Sequence, residues 1–194
     1  MALCLAHATA GYLAYEVLRP AGPHRPALLA GAVLMANAPD LDFLPGILIG
    51  APAVYHRGMT HTVGALLVVS VAAWAVARIL RSRSAWWWGL AVAAAYGSHL
   101  LVDWMTVDAV PPTGIRMLWP LTDAWLHAPF NLFGEIIIDP SGRTAFLRSL
   151  VTPAALLVWG RELGIAIAAV ATVHALRGLR GILAAPVADE SLEP

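Results

Sequence analysis

An all-α, multi-pass membrane fold is predicted by three features of this sequence. Hydrophobic residues make up 59% of the 194 positions, charged residues only 12%, and mean hydropathy is +0.71. A soluble domain of this size carries about twice that charged fraction. Two apolar stretches, 62–80 and 85–105, are separated by only the four residues "RSRS" and match the length of a bilayer crossing. Tryptophans cluster at 86–88 and recur at 104, as an interfacial aromatic belt requires.

Each element can be justified in order. The opening residues 2–18 lack a basic segment and contain His7 and Glu16, so they are expected to form a retained helix rather than a cleaved leader. Cys4, the single cysteine, excludes an internal disulfide framework and is expected to be a small buried residue. The proline-rich "RPAGPHRP" turns the chain into a second apolar helix over 27–37. Segment 44–55 is short and rich in Gly and Pro, which predicts a re-entrant or interfacial piece. Residues 62–80 reach roughly 28 Å as a helix, close to the roughly 30 Å hydrocarbon core. With 85–105 they predict an antiparallel hairpin, which brings His61, His99 and Asp103 to one face. Arg78, Arg81 and Arg83 at the connector mark that end as cytoplasmic and put the polar cluster towards the outer face; Arg57 on the other side opposes the bias.

Residues 106–148 are a long loop with Asp108, Asp123, Glu135 and Asp139, expected to cover or face the site. A third span is predicted within 150–180, with Arg161 and Glu162 dividing it into an interfacial helix and a crossing. Residues 1–183 are read as one membrane-embedded domain and 184–194 as a disordered polar tail. Net charge is zero, and all twelve cationic side chains are arginine with no basic face, so no nucleic-acid partner is expected.

The chemistry lies in ionisable residues set among apolar ones. His99 and Asp103 are spaced i, i+4, on one helical face. They could simply bond each other; a carboxylate in hydrocarbon needs some partner, at a cost of roughly 2.5 to 3.5 kcal/mol otherwise. Asp40 and Asp42, in "PDLD", could converge on an ion or cap a helix. His56 and His61 would point about 140° apart on one helix, so they converge only if His56 lies in a loop and Thr60 caps the helix bearing His61. His7 stands alone in the first helix, with Gly11 one turn on to allow close packing.

Four histidines and three aspartates in such surroundings all need partners, and a metal cluster would satisfy them together. Imidazole and carboxylate without thiolate suit zinc, with manganese and iron as alternatives, and seven ligands suggest two or more ions. Two-metal sites commonly serve phosphoester hydrolysis.

His7, "PDLD" at 39–42, "HRGMTH" at 56–61 and "SHLLVDWMT" at 98–106 followed by "GIRMLWP" at 114–120 resemble the YdjM-like family of membrane-bound, metal-dependent hydrolases, distantly similar to bacterial zinc-dependent phospholipase C. The resemblance implies a multi-pass protein of the bacterial inner membrane. It also implies metal-ligand roles for His7, Asp40, Asp42, His56, His61, His99 and Asp103. On that basis the expected function is metal-dependent hydrolysis of a phosphoester at the membrane surface, with a membrane lipid or its head group as substrate. Asp42 or Asp103 would orient or deprotonate the attacking water, and Arg57 would bind phosphate. Asp139, in "IIIDP", is a weaker addition to the site. The alternative is a non-enzymatic protein that binds or transports metal ions or protons.

Overall fold

The computed structural model describes residues 4–20, 22–51, 54–106 and 112–183. Asp108 and the tail 184–194, expected to be disordered, lie outside them. The described residues form helices and no strand; two isolated bridges, Thr106 to Phe133 and Ile115 to Leu126, tie down the long loop.

Helix α1 (Cys4–Leu18) leads through the proline turn into α2 (Pro26–Asn37). A 3-10 turn, Ala38–Asp42, carries "PDLD" and runs directly into α3 (Phe43–Leu48). A second 3-10 turn, Met59–His61, precedes α4 (Val63–Ile79), and α5 (Ala85–Trp104) returns as the predicted hairpin. After the loop come α6 (Arg143–Ser149) and α7 (Pro153–Leu183).

Helix α5 is central and packs on α1, α2 and α4, while α7 lies against α1. The buried face of α1 includes His7, Gly11 and Tyr15, each one turn from the last. A Cβ added at Gly11 would meet the Ala32 carbonyl oxygen and the Ala36 Cβ, both at 2.7 Å, so only glycine permits this approach of α1 to α2.

Three expectations are corrected. Helix α4 is capped by Thr62, whose Oγ1 accepts from the Ala65 N–H at 3.0 Å; Thr60 does other work. Helix α7 is one continuous helix of 31 residues. Arg161 and Glu162 do not break it because each finds a partner on another part of the chain: Arg161 donates to the Asn131 carbonyl at 3.2 Å, and buried Glu162 accepts from the Ala6 N–H at 3.3 Å. Cys4 is exposed, since it is the first residue of α1 and stands at the end of the helix.

Two stretches are long and apolar enough to cross a membrane, Pro26–Leu48 and Pro153–Arg180; Val63–Ile79 is a shorter apolar helix. The first was expected as separate pieces, but the 3-10 turn joins them. Only 17% of each window is buried within the protein, so most of these side chains face outward. Leu67, Val68 and Val71 of α4 and Leu156, Leu157 and Ile167 of α7 are likewise exposed. An apolar exterior around a polar interior is the arrangement a lipid environment favours.

All five long helices share one polarity of charge. His7, Asp40, His61 and His99 lie at one end of the bundle, and α7 runs parallel to α1, with Glu162 beside Ala6 and Arg177 beside Glu16. Arg19, Arg25, Arg78, Arg81, Arg83, Arg177 and Arg180 therefore gather at the other end.

Candidate metal centre

Helices α1 and α5 and the two 3-10 turns each send ionisable side chains to one point, and α2 adds the Ala36 carbonyl. His61 Nε2 lies 3.5 Å from Asp40 Oδ1 and 3.3 Å from Asp103 Oδ2. His99 Nε2 lies 3.6 Å and 3.5 Å from the same two oxygens. The two Nε2 atoms face each other at 3.1 Å. His61, His99 and Asp103 are at most 1% exposed.

The far side of each ring decides what these nitrogens are. His99 Nδ1 sits 2.8 Å from the Ala36 carbonyl, which can only accept, so Nδ1 carries the proton. His61 Nδ1 sits 3.2 Å from Asp42 Oδ2 and 3.0 Å from Thr60 Oγ1. The single hydroxyl proton of Thr60 goes to Asp42 at 2.9 Å, so the carboxylate and the hydroxyl both accept from His61. In the neutral rings, both Nε2 atoms are thus lone pairs, aimed at one another between two carboxylates. Such a set repels itself unless positive charge lies among the four atoms.

The residues fit a metal. A tetrahedron with bonds of about 2.0 to 2.2 Å has edges of about 3.3 to 3.6 Å, and the five separations given above range from 3.1 to 3.6 Å. Both Asp103 oxygens, and both nitrogens of wholly buried His7, have no hydrogen-bond partner. His7 Nε2 lies 3.5 Å from Asp103 Oδ1 and 3.8 Å from Asp40 Oδ2, and its ring stacks on His99 with centroids 3.8 Å apart.

A second group comprises Asp42, His56 and His61. His56 Nδ1 donates to Asp42 Oδ1 at 3.1 Å, while its ring stacks on Phe43 at 3.9 Å. Asp42 occupies the N-cap position of α3 but makes no capping bond. Its two oxygens instead fix the Nδ1–H tautomers of His56 and His61.

Residues 1–186 match the family model described as YdjM inner membrane protein. The chain belongs to that family. No curated protein and no solved structure matches it. The YdjM match extends well beyond Pro120, where the recognisable motifs end, and so includes α6 and α7.

All seven ligand candidates meet here in the YdjM chain, but other expected residues stand apart or take different roles. Asp139 is exposed and accepts from the Ser141 N–H at 2.9 Å, just before α6, so it does not join the cluster. Arg57, in the left-handed region at φ 60°, donates to the Gly114 carbonyl at 3.1 Å. It lines a cavity of about 390 Å³ that also takes in Asp42, His56, Thr60, Arg116 and Trp125. Arg116 lies over the Trp125 ring at 5.6 Å.

Sequence reasoning missed Thr60 as a partner of Asp42 and His61, and it missed Tyr96, whose hydroxyl donates to the Thr60 carbonyl at 2.6 Å. Tyr96 lies three residues before His99, and that i, i+3 spacing was the available signal.

Burial works against a charged ring at His61, but the carboxylates of Asp103, Asp40 and Asp42 outweigh it and hold its pKa well above the ordinary imidazole value. Burial wins at His56, where Asp42 only partly offsets it, and the pKa is lowered. Without a metal, a proton on His61 supplies the positive charge that the cluster demands.

Proposed function

We propose that this protein is a multi-pass inner-membrane hydrolase that uses a divalent metal ion, zinc by ligand type, to cleave a phosphoester at the outer face of the membrane. The observation that carries the reading is the pair of facing lone pairs on His61 and His99 between Asp40 and Asp103. Those four residues would hold the ion, with His7 in contact behind them. A neutral His61 offers one lone pair, so it serves this position and donates to Asp42; a second ion that took His61 as a ligand together with Asp42 and His56 would require the ring to lose both its protons.

A bound ion would supply Lewis acidity for the phosphoryl oxygens and make water a better nucleophile near neutral pH. The chain supplies the rest. Arg57 and Arg116, on the wall of the adjoining cavity, suit an anionic phosphate. Asp42 lines the same cavity and is placed to orient water entering it, and Thr60 holds that carboxylate in position. Asp103 is too enclosed to meet substrate, so its role is to hold the ion. Seven of twelve arginines at the far end support a cytoplasmic location for that end, which puts the cavity outside.

Elemental analysis of detergent-purified protein tests the metal. At least one transition-metal ion per chain is expected, and loss in His61→Ala and His99→Ala. Turnover of phosphodiesters, phosphomonoesters or phospholipids by loaded protein, lost in Arg57→Ala with metal retained, would support the hydrolase. Metal content without turnover of any of them would favour metal or proton binding alone.

A further inference from the structure

We propose that the arginine end of the bundle carries a binding site for one anionic phospholipid, separate from the metal centre. A cavity of about 660 Å³ opens there between α1, α2 and α5, a volume within the range of specific ligand pockets. Its walls are mostly apolar, with Tyr15, Leu28, Gly31, Trp87 and Val92 among them. Arg19 and Arg25 stand on the same wall near the proline turn, and Ser84 of the hairpin connector and Trp88 of the first turn of α5 border it from the other side.

The charge at this rim is unevenly used. Arg19 is held by Glu16 at 2.8 Å and by the Gly22 carbonyl at 2.9 Å. Arg25 is exposed, and among the described residues its guanidinium makes no hydrogen bond or ion pair; its main chain is engaged, the N–H by Tyr15 and the carbonyl by Leu28 and Leu29. A cation over an apolar slot, beside tryptophans that mark the interface, matches an amphiphile with a phosphate above and an acyl chain below. Gly31 faces open space, with nothing within 4 Å of an added Cβ, so the slot is not filled by the protein's own side chains at that point. Its inner end reaches Met35 and Ala95, adjacent to Ala36 and one turn before His99, and stops short of the cluster.

The test uses the full-length, delipidated protein in detergent, titrated with phosphatidylglycerol, phosphatidylcholine or inorganic phosphate and read by native mass spectrometry. One phosphatidylglycerol per chain should be retained, with phosphatidylcholine retained less and phosphate alone not at all. Arg25→Gln should weaken retention about fivefold, and Gly31→Phe should abolish it by filling the slot. Both variants should keep the metal content of the wild type, which shows that they are folded. Equal retention of the two lipids, or unchanged retention in both variants, overturns the proposal. Retention lost in Gly31→Phe but unchanged in Arg25→Gln overturns the assigned phosphate contact.

Discussion

Asp42 holds His61 by its Nδ1 at 3.2 Å and, through its other oxygen, holds His56 at 3.1 Å. One carboxylate therefore sets the proton positions of two rings and leaves each Nε2 free to accept a ligand. Asp42→Asn keeps the shape but replaces one acceptor oxygen with a donor. Metal affinity should fall about 10- to 100-fold, as for other outer-sphere changes, while Asp40→Asn should abolish binding outright. Competition with a chromogenic chelator measures both.

Metal uptake should release a proton. Because the folded pKa of His61 is raised, its ring keeps its proton to higher pH in the metal-free protein than a free imidazole does, and a ligand must be neutral. Apparent affinity should therefore rise by about one decade per pH unit until the raised pKa is passed. The same shift makes the charged ring a source of stability below its ordinary value, lost as pH climbs through the raised one. Metal-free protein should thus weaken towards alkaline pH, whereas loaded protein weakens towards acid. Calorimetry in buffers of different ionisation enthalpy counts the protons directly.

Gly11→Ala places a methyl group 2.7 Å from both the Ala32 oxygen and the Ala36 Cβ. Overpacking of this kind costs about 1 to 3 kcal/mol. Because α1 carries His7 and α2 leads to Asp40, separating the two helices should also lower metal affinity. Thermal unfolding in detergent and elemental analysis should move together; a loss of stability at full metal content would count against this coupling.

Orientation can be read with single cysteines in a Cys4→Ser background. A cysteine at Ser82, in the hairpin connector, should be protected from a membrane-impermeant thiol reagent in intact cells. One at Thr122, in the exposed loop at the other end, should be labelled. The reverse pattern would place the metal centre on the cytoplasmic side.

Much of the centre was legible because its spacing is local. The i, i+4 pair His99 and Asp103 and the short hairpin connector together bring three of the candidate ligands, His61 included, to one face. The roles within the cluster were not legible, since they depend on which atom lies behind each ring. Thr60 was expected as a helix cap because threonine commonly caps, yet Thr62 takes that position and frees Thr60 for Asp42. Helix α7 was expected to break at Arg161 and Glu162; the partners that keep it whole, Asn131 and Ala6, are distant in sequence. Arg116 and Trp125 reach the cavity only because the long loop folds back, tied by the pairing of Ile115 with Leu126.

The proton on His99 is set by the carbonyl of Ala36, a main-chain atom that no side-chain replacement at that position deletes. What residue 36 can change is distance, because its methyl group is wedged against Gly11 and is wholly buried. The acid–base identity of one ring is thereby tied to the spacing of two helices. A change of volume in the α1–α2 seam would act on which nitrogen of that ring offers its lone pair to the centre, with every ionisable residue left in place.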